Sequence, residues 1–366
     1  MVIGINATAA SHQPRTGVEE YTYQLIKYLA MLEETKRHRF VLYNNKQLTI
    51  NNRQLPENFE VRQLKWSLPM WTQVRLASEM LFYKPDVLFI PVHVLPLVHP
   101  QSSVVTIHGL EYEYYPEMYP WRHLRYLRWS TKYALNHAQK IIAVSENTKK
   151  DLIELYGGNP EKIEVVHHGV KIPNSKFQIP NKFQNTNHKF QTKSPYILFI
   201  GRLEKRKNIE GLTESFALLK EKYKIPHKLI LVGPEKYDSR QALLAEPKGR
   251  ALVLGYVSEP EKWSLLKNAD LFILPSFYEG FGIPILEAQA VGCPVVISNV
   301  SSMPEVAGQG AILIDPKNIE QIAQAIYQVI SDSQLRKDLI AKGYQNVKRF
   351  SWQKCAQETL KVLISL

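Results

Sequence analysis

The chain has 366 residues, 45% of them hydrophobic and 22% charged, with a formal net charge of +12. The length exceeds what one hydrophobic core usually organises, so two domains of ordinary globular composition are expected. The two cysteines, Cys293 and Cys355, lie far apart with no CxxC pair and no histidine cluster at zinc-ligand spacing, which argues against a structural metal and for a reducing compartment.

In chain order, MVIGINATAA is apolar for a few residues only and runs into SHQPRTG, so it reads as a first strand rather than a signal peptide. No run approaches the roughly 18 apolar residues of a membrane span, and a cytoplasmic location is expected. VIGINA, RFVLYNN, DVLFIP, SVVTIHG, KIIAVS and IEVVHHG read as buried strands with amphipathic segments between them, the pattern of a parallel sheet covered on both faces. The loops PRTGVEEY and IHGLEYEYYPE follow strand ends, where such sheets bind ligands. Gly17 opens a helix: it is either an ordinary helix-entry glycine or one that admits an anionic substrate. His108 sits at a strand end, a position that favours a functional role.

Residues 120–140, PWRHLRYLRWSTKYALNHAQK, place Arg122, Arg125, Arg128 and Lys132 among Trp121, Tyr126 and Trp129 at spacings of three and four. This is either a surface helix with its apolar side in the core or a basic aromatic helix in peripheral contact with the cytoplasmic membrane face. After Gly169 the alternation stops, and the Lys-, Gln- and Asn-rich residues 171–194 read as a linker.

YILFIG, KLILVG, ALVLGYV, LFILPS, PVVISNV and AILIDP then repeat the strand-and-helix pattern. The fold class is therefore α/β, with two Rossmann-like doubly wound domains facing across a cleft. Residues 199–216, FIGRLEKRKNIEGLTESF, put Arg202, Lys205, Arg206 and Lys207 between a strand and a helix start. They form either a diphosphate cradle or, especially at Lys205 and Arg206, a solvated charge run.

Residues 274–296, LPSFYEGFGIPILEAQAVGCPVV, read as strand, glycine turn and a helix starting near Gly282 with Pro284 in its first turn, an arrangement that offers backbone amides to a phosphate. Glu279 and Glu287 lie eight residues apart, Glu287 inside so apolar a helix that it needs a polar partner. One reading makes Glu279 a solvated turn residue and Glu287 a complement to the helix dipole. The other has both accept hydrogen bonds from ligand hydroxyls, Glu279 from a sugar ring and Glu287 from a ribose. From about Asn318 to Leu366 the pattern is helical throughout.

The Glu279-to-Glu287 spacing, GRLEKRKN, SENTKKDL and HHGV together resemble family 4 of the glycosyltransferases, retaining enzymes of the GT-B fold, over nearly the whole length. That resemblance implies an acceptor-binding domain at 1–170, a linker at 171–194, a nucleotide-sugar donor domain at 195–350, and a helix at 351–366 packing back on the first domain. It implies a catalytic set of Glu279, His108, Arg202 and Lys207. Arg202 and Lys207 would hold the donor diphosphate, Glu279 the hexose, Glu287 the ribose, and the amides near Phe281, Gly282 and Ile283 would complete the cradle. His108 would serve the reacting centre and Gly17 the acceptor. Relatives of this kind carry two glycines where this chain has Thr16 and Gly17, and an Asp where it has Gly109.

The implied reaction moves a hexose, with a lean to mannose, from a GDP- or UDP-linked donor to a glycan or lipid-linked acceptor, without metal or other cofactor. An epimerase or phosphorylase of the same fold, or a non-catalytic anion-binding protein, are the competing readings. No nucleic-acid module is present to use the positive charge, and neither domain begins with the GxGxxG of a dehydrogenase.

Overall fold

The computed structural model describes residues 1–13, 15–46, 48, 55–171, 194–234 and 251–366. Nearly all of the 171–194 linker expected from sequence lies outside these residues. The chain divides into two compact units, one of Met1–Gly169 with Phe350–Leu366, the other of Val170–Arg349.

The first unit is built on β1 (Val2–Asn6), β2 (Arg39–Asn44), β3 (Phe59–Gln63), β4 (Val87–Ile90), β5 (Ser103–Ile107), β6 (Lys140–Ala143) and β7 (Ile163–Val165), in the order β3-β2-β1-β4-β5-β6-β7. Its strand pairs are parallel, with Ile3 opposite Phe40 on one side and Val87 on the other. β1, β4 and β5 are almost wholly buried, as expected of strands covered on both faces. β3 was not expected from sequence. It is an edge strand whose alternation of Phe59 and Val61 with Glu60 and Arg62 breaks up the apolar run, and the Phe59 ring stacks on Phe40 at 4.3 Å.

The second unit carries β8 (Tyr196–Ile200), β9 (Lys228–Val232), β10 (Ala251–Gly255), β11 (Leu271–Leu274), β12 (Val295–Ser298) and β13 (Ile312–Ile314), again with parallel pairs, in the order β10-β9-β8-β11-β12-β13. In each sheet the order in which strands are added reverses once, between β1 and β4 and between β8 and β11. At such a reversal the loops leaving the two adjacent strands diverge to opposite faces, and the crevice between them is where doubly wound sheets hold ligands.

The C-terminal stretch forms three helices, Ile319–Ser331, Ser333–Val347 and Trp352–Ile364. The last belongs to the first unit and packs along the helix Gly17–Leu29. Its start presses so close to Gly169 that a Cβ there would lie 2.1 Å from the Trp352 nitrogen, which accounts for the glycine of the HHGV segment.

Candidate active site

At the reversal of the second sheet, β8 is followed by a short turn, Lys205–Lys207, and then by Asn208 in the left-handed region at φ 55°. The Asn208 side chain accepts the Gly211 amide at 3.2 Å, capping the helix Ile209–Tyr223, and donates to the Pro316 carbonyl at 2.6 Å. The neighbouring loop leaves β11 and ends at Gly282, whose φ of 101° starts the helix Ile283–Ala290. The Phe277 amide donates to the Arg206 carbonyl at 2.9 Å, tying the two loops together.

This pairing of loops assembles the charges. Glu279 is 7% exposed, not a solvated turn residue. One of its carboxylate oxygens accepts from the Lys207 ammonium and, at 2.6 Å, from the Ser276 hydroxyl, while the other faces Arg206 at 3.4 Å. Arg206 is no solvated charge either: it donates to the Tyr278 carbonyl at 2.6 Å and to Glu204 at 2.7 Å. The Glu279 backbone is held by Ser301 and Ser302, whose hydroxyls respectively accept its amide at 3.0 Å and donate to its carbonyl at 2.7 Å.

Burial alone would raise the Glu279 carboxyl, but the Lys207 and Arg206 charges outweigh it and hold the group below the usual carboxylate range. Lys207 is lowered, chiefly by burial, despite the pull of Glu279. Arg202 and Lys205 are exposed. Arg202, Lys205, Arg206 and Lys207 thus stand against Glu204 and Glu279, and the excess is positive. Beside them, the first amides of a helix have no carbonyl within it to bond, and Pro284 has no N–H, so the helix presents Gly282 and Ile283 at its start.

Glu287 is buried on the same helix and finds the partner its surroundings require in Lys262, at 2.7 Å. Lys262 also meets Glu259 at 2.7 Å. Burial would lower Lys262, but the two carboxylates overcome it and raise the amine above its ordinary value. Lys262→Met is expected to destabilise the second unit by about 3 kcal/mol, because it strands a buried carboxylate. Adding Glu287→Gln should restore much of that loss in urea denaturation. A double variant no more stable than the single one would mean that the pair is not coupled.

In the first unit, His108 follows β5, and its Nε2 lies 2.7 Å from the Pro91 carbonyl at the end of β4. A carbonyl only accepts, so Nε2 carries the proton and Nδ1 keeps its lone pair. The His108 amide donates to His93 Nε2 at 3.3 Å, the Tyr21 ring meets the imidazole edge-on at 4.8 Å, and His168 lies 5.4 Å from it. Desolvation, then the neighbouring His93, push His108 down to about 3, so the ring is neutral at physiological pH. Gly17 is the first residue of its helix, after Thr16, and a Cβ there would meet nothing within 4 Å. The packing does not demand this glycine.

The structure thus joins Lys207 to Glu279, places Gly282 and Ile283 beside them, and puts Glu287 further along the same helix. Sequence reasoning left Ser276, Ser301, Ser302, Lys262, His93 and His168 without a role. Of these only Lys262 had a detectable signal, since a buried Glu287 demanded a cation from somewhere. Among the described residues, no group of three His, Cys, Asp or Glu side chains is placed to hold a metal ion.

Residues 181–346 match the family model described as glycosyl transferases group 1, and residues 15–172 match that of glycosyltransferase family 4. The chain is 29% identical to the O-antigen chain mannosyltransferase B of Escherichia coli, over 97% of this chain and 98% of that one. In structure it is similar to WaaG, a glycosyltransferase involved in lipopolysaccharide biosynthesis, with a TM-score of 0.74 and 16% identity over 99% of both chains. It is also similar to Anabaena Alr3699/HepE solved with UDP-glucose, with a TM-score of 0.73 and 18% identity over 100% of this chain and 99% of that one.

Proposed function

The chain belongs to the group 1 glycosyltransferases, and from that membership we propose that it is a retaining, metal-independent hexosyltransferase that moves mannose from GDP-mannose to a glycan or lipid-linked acceptor. The observation that carries this reading is the convergence of Lys207, Arg206 and Glu279 from two loops at the reversal of the second sheet, beside a helix start. The named mannosyltransferase that aligns over nearly the whole chain supports the choice of sugar. Uracil is the alternative base, that of the UDP-glucose in the Anabaena neighbour.

In this reading Arg202 and Lys207 hold the diphosphate, with the Phe281, Gly282 and Ile283 amides beside them. Fixed cations and a helix start stabilise the charge on the departing nucleotide, the work a metal ion does elsewhere. Glu279 accepts from the hexose hydroxyls and Glu287 from the ribose. Both carboxylates are already held by ammonium groups, so they accept those hydrogen bonds without reorganising. His108, neutral and with a lone pair on Nδ1, serves the reacting centre, and Gly17 leaves room for the acceptor.

The bond from the anomeric carbon to the diphosphate oxygen breaks, and a bond to the acceptor oxygen forms on the same face. The acceptor proton passes to the leaving phosphate, so no protein nucleophile is assigned. A lipid-linked acceptor would place the transfer at the cytoplasmic leaflet.

Calorimetric titration of the EDTA-treated protein with GDP and UDP tests the donor site. One nucleotide is expected to bind, with Arg202→Ala weakening it about tenfold through loss of a charge-assisted contact. Binding only on addition of a divalent ion, or equal affinity in the variant, would remove the proposed cradle.

A further inference from the structure

The first unit carries an apolar surface that its own fold does not cover. Leu68 and Met70 are each 63% exposed, and Val74 and Leu97 are also exposed. On the helix Trp121–His137, Ser130, Thr131, Ala134 and Leu135 face the core, while Trp121, at 62% exposed, and Trp129 face outward. A helix that merely shields a core turns such residues inward. Solvent-facing tryptophans on the opposite side call for another partner.

These residues form one face. The Gln73 side chain donates to the Leu95 carbonyl at 3.1 Å and accepts the Leu97 amide at 3.0 Å, joining the 68–74 segment to the loop after β4. Tyr133 donates to the Leu97 carbonyl at 3.2 Å, and the Trp129 ring stacks on Tyr133 at 5.4 Å, joining that loop to the helix.

The face is also charged with one sign. The helix Trp121–His137 contains no Asp or Glu, and among the described residues Arg122, Arg125 and Lys132 have no carboxylate partner. Arg128 is different: it is paired with Glu113 at 2.8 Å. Between 66 and 84 the sole acid is Glu79, which is buried and held by Arg62 and Arg75. The Arg122 and Arg125 guanidiniums lie over the Trp121 ring at 5.2 and 5.9 Å, where the ring partly compensates the charge when water leaves.

We propose that Leu68, Met70, Val74, Leu97, Trp121 and Trp129, with Arg122, Arg125 and Lys132, form a docking face for an anionic lipid surface. The apolar side chains enter the headgroup boundary while the three cations meet lipid phosphates. A second copy fits less well, because the face would meet its own cations with no carboxylate to pair them. Side chains as apolar as Leu68, Met70 and Trp121 beside the cations suit a headgroup boundary better than a purely acidic protein surface. The contact is peripheral: among the described residues no helix is long and apolar enough to cross a membrane.

Flotation of the full chain with vesicles tests this, comparing phosphatidylcholine alone with vesicles enriched in phosphatidylglycerol. The wild type should float with the anionic vesicles only, and less well as salt rises. Arg122→Gln with Arg125→Gln should lower the partition about thirtyfold, and the two Glu substitutions should lower it further. Leu68→Ser with Met70→Ser, which spares every charge, should weaken binding to the same vesicles and make the remainder more salt-sensitive. Circular dichroism confirms that each variant is folded, and unaltered GDP or UDP titration separates this result from the fate of the donor site. A wild type that ignores anionic vesicles, variants that bind as it does, or sedimentation showing self-association that the same substitutions abolish would each overturn the proposal.

Discussion

Glu279→Gln is expected to lower turnover about a hundredfold or more while nucleoside diphosphate binds as tightly as in the wild type, or more tightly. The two effects have separate origins. The carboxylate that would hold the hexose is also the counter-ion of Lys207 and Arg206. Removing its charge costs the transition state an oriented acceptor of hydrogen bonds, but it also leaves two cations less neutralised beside the diphosphate. Because those cations are largely enclosed, the substitution should also cost about 3 kcal/mol of stability, with the more drastic Glu279→Ala costing at least as much.

Single-turnover rates, nucleotide titration and denaturant unfolding on the same preparation separate these contributions. Parallel loss of turnover and affinity would make Glu279 a structural counter-ion and nothing more. Unaltered turnover would remove it from the chemistry.

Stability should fall on mild acidification, before the carboxylates titrate. His93, His108 and His168 are each held below the ordinary histidine value, in every case chiefly by desolvation, with neighbouring histidines adding to it at His108 and His168. The unfolded chain therefore takes up protons below about pH 6.5 that the folded chain refuses, so stability is intact above that value and drains away as pH drops toward the folded values. For a single such histidine the loss between about pH 7 and about pH 5 is roughly 2 kcal/mol, and the three share one neighbourhood. Glu279, being lowered, contributes only at more acid pH.

Thermal melting across this window is expected to show a falling midpoint in wild type and a shallower fall in His168→Phe, which can keep the stack on Tyr21. A flat profile, or one that His168→Phe leaves as steep, would mean that these imidazoles are charged in the folded protein.

The strands were legible because both faces of a parallel sheet are covered: β4, β8 and β11 read as short unbroken apolar runs, and β1, β5 and β12 as runs that are mostly so. β3 escaped because an edge strand has one side to solvent, and its Glu60 and Arg62 interrupt the run. The turn into Ile283–Ala290 was equally visible, since Gly and Pro there are demanded by local backbone geometry.

What local pattern determines, the amino-acid sequence determined by itself: two parallel sheets, the glycine turn before a helix start, and a carboxylate at Glu287 too buried to stand without a cation. Which cation satisfies which carboxylate was decided only by tertiary structure. Lys207 and Glu279 lie 72 residues apart and Lys262 and Glu287 25 apart, and no periodicity encodes either meeting. Lys207 and Glu279 meet because the second sheet reverses its winding between β8 and β11, setting the loops that follow those sequence-distant strands side by side. Lys262 and Glu287 meet because the helices Glu259–Asn268 and Ile283–Ala290 pack together. Inside the low-dielectric ground at both meetings an unpaired charge is too costly to remain, so proximity there becomes pairing.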